Sequence, residues 1–267
     1  MAFIPLHDTN PLRRIGHPWV TWGIIAANVT VYFVVQQGGY GAAAYEASVY
    51  SYGLIPAALN GWIGGEFDLP GGLAEGTTLL TYSFLHADFW HLAGNMVFLW
   101  VLGDNVEDAL GHFRYLVFYM LCAAAAGYAF VLSASGSEAP LIGASGAVAG
   151  NIAAYLLLYP RAKIWILLFL RIPVRLRGEY VLGFWILFQV FAALEGDGTD
   201  EVAWWAHLGG LLAGALLVLV MRQKGVPLFA RALPEPAPAA APLAPEDQPV
   251  PSPPGASPTV GSKGPWE

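Results

Sequence analysis

Charged residues are scarce in this chain: they make up 12% of its 267 residues, whereas 56% are hydrophobic. Soluble domains carry roughly 25% charged residues, so the composition excludes an ordinary soluble domain and indicates a membrane protein. The net charge of −7 comes without a basic stripe, which argues against a nucleic-acid partner. The one cysteine, Cys122, lies within an apolar run, so an intrachain disulfide is excluded.

Long apolar runs are spread over most of the chain, which favours one multi-span unit. A spanning helix needs about 20 mostly apolar residues, and six runs approach that length. They are residues 19–36, 91–106, 115–132, 144–159, 180–194 and 202–221. We therefore predict an all-α membrane protein whose six-helix bundle occupies residues 19–222.

Two segments between these runs are not predicted to span. Residues 37–90 are too polar to cross a membrane, yet they hold aromatic side chains such as Tyr45 and Trp62. Aromatic residues concentrate at membrane–water interfaces, so we predict an interfacial first outer loop there. Residues 164–170 are apolar but too short to cross, and arginines follow them. That pattern predicts an interfacial element or a hairpin.

The basic residues test the span count, because cytoplasmic loops carry an excess of Lys and Arg. With six spans, the first starting in the cytoplasm, all twelve Lys and Arg fall on the inner side. We predict cytoplasmic termini, with residues 1–18 as an N-terminal segment. Residues 223–267 are rich in Pro and Ala and are predicted to be a disordered tail. With no targeting segment recognised, we expect a prokaryotic plasma membrane.

Two residues with catalytic chemistry lie at one depth. Ser145 begins the fourth span and His207 lies near the outer end of the sixth. Each is about 21 Å from the inner end of its span at 1.5 Å per residue. Both spans run from outside to inside, and a GxxxG ridge follows each residue, at 146–150 and 210–214. Such ridges let helix backbones approach closely, so we predict that Ser145 lies beside His207.

A serine beside a histidine has the chemistry of a hydrolase. The imidazole takes the hydroxyl proton during attack and returns it to the leaving amine. The sixth span carries no carboxylate near this depth, so we predict a Ser145–His207 dyad. Two structural alternatives stay open: Ser145 as a small packing residue and His207 as a hydrogen-bonded structural histidine. Ionisable residues inside spans, however, indicate function by default.

His91 and Asn95 are one helical turn apart on the second span and share a face. Both can donate hydrogen bonds, so we predict that they stabilise an oxyanion together with the Ser145 amide; an interhelical structural contact is the alternative. His86 is either a supporting donor or an interfacial histidine. Three histidines could also bind zinc, but no HExxH motif or inward carboxylate accompanies them, and we expect no metal and no cofactor.

These motifs resemble those of the rhomboid family of intramembrane serine proteases. The HxxxxHxxxN pattern at residues 86–95, the GxSG pattern at 143–146 and the histidine motif at 206–210 follow the family order on alternate spans. The resemblance covers residues 19–222. The site residues that it implies are Ser145 as nucleophile, His207 as general base, and His91, Asn95, His86 and Gly143 as oxyanion or supporting residues.

The resemblance implies an intramembrane serine endopeptidase that works in a lipid bilayer on single-span or multi-span membrane proteins. Some members stack an aromatic side chain, four residues after the nucleophile, against the histidine. Here that position is Ala149, so the bracing of His207 is open. One alternative is a non-catalytic binder or chaperone that recognises spans. A small transporter is disfavoured, because the sequence shows no internal repeat and no intramembrane carboxylate pair.

Overall fold

The computed structural model describes residues 3–63, 75–169, 171–195 and 203–230. Long helices dominate these ranges. They are α1 (Trp19–Thr30, continued by a π-helical turn over Val31–Val35), α5 (Phe89–Leu110), α6 (His112–Ser133), α7 (Ser145–Leu158), α8 (Gly178–Glu195) and α9 (Trp204–Met221). Shorter helices lie between α1 and α5. They are α2 (Ala42–Tyr52), α3 (Pro56–Leu59) and α4 (Thr78–Thr81).

Each predicted span coincides with one long helix to within a few residues at either end, which confirms the helical membrane bundle. Among the described residues, three helices are long and apolar enough to cross a membrane, namely α6, α8 and α9. Two shorter apolar helices occupy Trp19–Val35 and Ser145–Leu158. The count of six spans therefore stays a prediction. The predicted outer loop at 37–90 contains α2, α3 and α4, and its residues 64–74 lie outside the described ranges.

Close packing of α9 against α7 depends on glycines. A β-carbon at Gly210 would overlap the carbonyl oxygen of Gly146, and one at Gly214 would overlap that of Gly150. On its other side Gly150 meets the sulfur of Cys122 from α6. The predicted pairing of the two GxxxG ridges is thus confirmed, and it holds the outer ends of α7 and α9 side by side.

A small sheet adds strands to the helical bundle. Strands β2 (Lys163–Leu168) and β3 (Ile172–Arg177) form an antiparallel hairpin between α7 and α8. The predicted hairpin at 164–170 is therefore confirmed. Strand β1 (Phe3–Asp8) pairs antiparallel with β2 and completes the order β1-β2-β3. The sequence analysis assigned no structure to this part of residues 1–18.

The last turn of α5 anchors the segment before α1. The Glu107 carboxylate accepts hydrogen bonds from the Thr21 amide and hydroxyl at 2.8 and 2.7 Å. Asp108 accepts from the consecutive amides of residues 13–15 at 2.6–3.0 Å. Both carboxylates are buried, and buried charges need such partners. The start of α1 is therefore held against the inner end of α5.

Asp8, at the end of β1, is buried against the same end of the bundle. Its carboxylate accepts hydrogen bonds from Tyr155 Oη at 2.5 Å and from Asn105 Nδ2 at 3.1 Å. Burial raises the pKa of Asp8 from its ordinary 3.8 to about 7, although the Tyr155 bond opposes this shift. The strand is thus tied to both α5 and α7 by one carboxyl group.

The chain after α9 returns to the bundle. The Gln223 amide donates to the Ala109 carbonyl at 2.9 Å, and the Phe229 amide donates to the Leu157 carbonyl at 2.7 Å. These bonds satisfy carbonyl groups at the ends of α5 and α7, which lack partners within their own helices. Of the predicted disordered tail at 223–267, residues 231–267 lie outside the described ranges.

Candidate active site

Ser145 is the first residue of α7, and backbone hydrogen bonds hold the loop that precedes it. The Gly143 amide donates to the Tyr82 carbonyl at 3.0 Å, and Leu141 exchanges two backbone hydrogen bonds with Leu54 at 2.8 and 3.0 Å. Gly143 has φ +123, a conformation open to glycine at little cost. These contacts fix the loop that leads into the helix, and with it the position of the serine hydroxyl.

His207 on α9 lies directly beside this serine. Its Nε2 atom is 2.8 Å from Ser145 Oγ, a hydrogen-bond distance. The imidazole is 7% exposed, so bulk water does not separate the two groups. The structure therefore brings together the two residues that the sequence analysis paired, in the geometry of a nucleophile and its base.

The other ring nitrogen of His207 contacts a residue with no predicted role. Gln189 Oε1, from α8, lies 2.7 Å from His207 Nδ1. Gln189 is buried at 3% exposure. It is the one amide side chain in α8, whose acidic residues Glu179 and Glu195 lie at the two ends of the helix, and that isolated polarity is the sequence signal that could have assigned it a role.

Two tryptophans hold the His207 ring in place of an aromatic at Ala149. The Trp185 ring centroid lies 6.0 Å from the imidazole, tilted by 38°, and the Trp204 centroid lies 6.1 Å away, edge-on at 83°. Trp204 also makes an edge contact with Phe188 at 5.7 Å. The brace therefore comes from α8 and from the first turn of α9, which sequence spacing alone did not indicate.

Asn95 on α5 faces the same cavity as Ser145 and His207. Asn95 is 4% exposed, and its Nδ2 group has no hydrogen-bond partner within the described part of the chain. Buried polar groups in native proteins are nearly always paired. Asn95 thus places an unpaired donor in the wall of the cavity that Ser145 and His207 also line.

His91 lies one turn above Asn95 and packs against Gly143. The Ala87 amide donates to His91 Nδ1 at 3.4 Å, so Nε2 carries the proton in the neutral ring. A β-carbon at Gly143 would lie 2.8 Å from His91 Nε2 and 3.8 Å from Ser145 Oγ. Glycine is required there because only glycine leaves room for the His91 ring next to the serine.

His86 lies behind His91, and neither histidine is among the residues that line the cavity. Its ring is fully buried and meets the His91 ring edge-on, with centroids 5.1 Å apart. Its backbone exchanges hydrogen bonds with the Gln36 side chain at 2.9 and 3.0 Å. The position is that of a support for His91. The zinc alternative has no counterpart in the described ranges, where no group of three or more potential ligands could hold a metal ion.

Ser145, His207 and Asn95 lie in the wall of a cavity of about 460 Å³. Its walls are mainly aromatic and aliphatic, with a few converging polar groups, as is usual for ligand sites. The lining consists of Phe3, Asn95, Phe98, Ser145, Val148, Ile152, Phe184, Trp185, Phe188, Gln189, Trp204 and His207. A nucleophile, a base and unpaired donors at the edge of an apolar cavity form a site suited to acyl transfer.

Comparison with known proteins gives a family match over the region that contains the candidate site. The Rhomboid domain model matches residues 74–224. The chain is 32% identical over 148 residues to Rhomboid protein 1, mitochondrial, of Saccharomyces cerevisiae, which covers 52% of this chain and 40% of the yeast protein. It is 30% identical over 156 residues to RHOMBOID-like protein 12, mitochondrial, of Arabidopsis thaliana, which covers 52% of this chain and 44% of that protein.

A more distant relative is the human Presenilin-associated rhomboid-like protein, mitochondrial, at 26% identity over 144 residues, 51% of this chain and 35% of the human protein. The matched region thus spans less than half the length of these relatives. Their names place all three in mitochondria, so the expectation of a prokaryotic plasma membrane is wrong. The distribution of basic residues distinguishes the two sides of a membrane, and it carries no information on which membrane this is. The domain match covers more than half of the chain, and the chain belongs to the rhomboid family.

Proposed function

We propose that this chain is an intramembrane serine endopeptidase that cleaves peptide bonds in or beside transmembrane segments of other membrane proteins. The observation that carries the proposal is the 2.8 Å contact between Ser145 Oγ and His207 Nε2 in the wall of a mainly apolar cavity. Family membership supports the same reaction, because rhomboid proteins are generally intramembrane serine proteases. The runner-up, a non-catalytic binder of spans, gives no reason for a serine–histidine hydrogen bond.

The dyad divides the work of peptide hydrolysis between its two residues. His207 Nε2 takes the proton from Ser145 Oγ as that oxygen attacks the peptide carbonyl, and an acyl-enzyme forms as the C–N bond breaks. The imidazolium returns the proton to the leaving amine. A water molecule then attacks the ester by the same route in reverse and releases the carboxyl product.

Three donors support an oxyanion site next to Ser145. The first amides of a helix have no partner within the helix, and no described side chain caps the start of α7. The Ser145 amide is therefore free to donate to the developing oxyanion. Asn95 lines the cavity and its Nδ2 has no partner among the described residues, and the protonated Nε2 of His91 lies beside Gly143. Preorganised donors of this kind stabilise the tetrahedral intermediate.

The cavity chemistry supports a substrate segment that has left its helical form. A transmembrane helix keeps its carbonyl groups in internal hydrogen bonds, so Ser145 cannot reach them until the substrate unwinds locally. Aromatic walls from α5 and α8, including Phe98 and Phe188, suit apolar side chains next to the cleaved bond. Both single-span and multi-span membrane proteins meet this description.

Covalent labelling tests the proposal in detergent. A fluorophosphonate probe should label the wild-type protein at Ser145, as mapped by mass spectrometry, and S145A should lose both the label and cleavage of a reconstituted single-span substrate. H207A should lose both as well, because the serine is then without a base. The matched control is S133A: its hydroxyl bonds to the Phe130 carbonyl at the end of α6, and labelling and cleavage should stay at wild-type levels.

Substantial cleavage by S145A would refute Ser145 as the nucleophile and with it the proposed serine mechanism. The non-catalytic binder would be favoured instead if the folded wild-type protein takes no label and cleaves no substrate but still binds proteins with transmembrane segments.

A further inference from the structure

The contact between Gln189 and His207 is not explained by the dyad alone. Gln189 Oε1 lies 2.7 Å from His207 Nδ1, on the side of the imidazole that faces away from Ser145. The two residues come from different helices, α8 and α9. Gln189 has a place in the cavity lining and is almost completely buried.

The hydrogen bond determines which tautomer His207 adopts. A neutral imidazole carries one proton, and its other nitrogen is an acceptor. An amide oxygen can only accept, so Gln189 Oε1 requires the proton on Nδ1. Nε2 is then unprotonated and free to accept the Ser145 proton, which is the form a general base needs.

A neutral acceptor suits this depth better than a carboxylate. The ring of His207 is packed between Trp185 and Trp204, and charge in such surroundings is costly unless it is paired. Serine hydrolases in water commonly use a carboxylate to orient the histidine. An amide oxygen gives the same direction to the ring without the desolvation cost of a permanent charge.

We propose that Gln189 is a positioning residue that completes the dyad, by holding His207 in the tautomer and orientation in which Nε2 faces Ser145. This inference rests on the proposed protease function. It also links the site to α8. Of the three described helices that are long and apolar enough to cross a membrane, α8 is the least buried. The glycine contacts hold α7 against α9. The packing position of α8 then determines whether His207 keeps its hydrogen bond to Gln189.

Two substitutions separate the acceptor from the bulk of the side chain. Q189M keeps an unbranched chain of similar volume but has no strong acceptor, and Q189E keeps an oxygen at the same position. The control is L187A on the same helix, where the side chain is 70% exposed on the outside of the bundle. The readouts are kcat and KM on the reconstituted substrate, and the His207 tautomer from ¹⁵N NMR of histidine-labelled protein, assigned with H207A.

The wild type should show His207 protonated at Nδ1. Q189M should lower kcat by about 10- to 100-fold, the range known for lost orienting partners of metal-bound histidines, with KM changed by less than about two-fold. Its His207 signal should become a mixture of tautomers. Q189E should retain the wild-type tautomer, with a loss of stability because its charge is buried, and L187A should match the wild type.

Two results would overturn the proposal: Q189M with wild-type kcat and tautomer, or Q189E with the same mixture of His207 tautomers as Q189M. If Q189M does not fold, Q189N takes its place, since it withdraws the oxygen by one methylene and should show the same losses. The tautomer measurement does not depend on proteolysis. Cleavage by S145A would therefore refute the proposed serine mechanism, while the NMR result would still decide whether Gln189 sets the His207 tautomer.

Discussion

Single residues with unpaired polar atoms carry most of the functional information in this site. Asn95 and Asn151 are both buried asparagines in long helices. Asn151 is paired at both ends, with Nδ2 on the Ala147 carbonyl at 3.0 Å and Oδ1 accepting from Tyr115 Oη at 3.0 Å. Asn95 leaves its Nδ2 unpaired beside the dyad. The same residue type thus serves packing at one position and offers a free donor at the other.

We expect N95A to lower kcat by about 10²- to 10³-fold, because removal of one oxyanion donor has an effect of this size in other serine proteases. Its melting temperature in detergent should change little, since the Nδ2 group stabilises no contact in the resting protein. N151A is the counterpart: it should lose stability, by about 1–3 kcal/mol for an orphaned buried partner, with kcat largely retained. Full activity of N95A would exclude its oxyanion role.

At the scale of elements, the separation of α7 and α9 sets the distance within the dyad. Gly146, Gly150, Gly210 and Gly214 let the two backbones touch. The contacts begin one residue after Ser145 and three residues after His207, so the helices are closest where the chemistry takes place. Bulk at this interface therefore acts on the hydrogen bond between the dyad residues as well as on stability.

G210A should be destabilising by about 1–3 kcal/mol, the usual cost of overpacking, because its β-carbon would overlap the Gly146 carbonyl oxygen. Cleavage and probe labelling should fall with it as the helices separate. G183A on α8 is the control: nothing lies within 4 Å of its added β-carbon, and alanine favours the helix by up to about 1 kcal/mol. Equal melting temperatures for G210A and G183A would contradict the packing argument.

At the scale of the whole molecule, strand β1 connects one end of the bundle with the candidate site. Strand β1 pairs with the hairpin that precedes α8, while Asp8 bonds to Tyr155 on α7 and Asn105 on α5. Phe3, on the same strand, reaches the wall of the cavity and packs on Phe98 with ring centroids 5.9 Å apart. The strand therefore connects the inner end of the bundle with the site.

Burial of Asp8 predicts a pH-dependent stability. The folded pKa of about 7 is above the ordinary 3.8, so the folded state holds the proton more tightly than the unfolded state. This contribution to the free energy of unfolding is complete below about pH 4. It is lost progressively as the pH rises from about 4 through 7, by on the order of 4 kcal/mol. In thermal unfolding from pH 5 to 8, the melting temperature of D8N should therefore fall less with rising pH than that of the wild type. Parallel declines in wild type and D8N would rule out Asp8 as its source.

Much of this protein follows from sequence alone, because the membrane permits few solutions. Backbone groups in lipid must be paired within helices, so apolar runs locate the long helices to within a few residues. Rare polar residues inside those runs, such as Ser145, His207 and Asn95, identify the site chemistry, and equal depth together with the GxxxG ridges predicts the contact between Ser145 and His207.

Only the tertiary structure decided what surrounds the histidine and where the chain's first strand lies. Gln189 and Trp185 come from α8, whose rotation about its own axis is not encoded in a nearly uniform apolar sequence. Strand β1 pairs with residues more than 150 positions away, and no local pattern records such a partner. The depth of a residue along its span follows from its position in the sequence. The side of the helix that faces the bundle depends on how all the other helices pack.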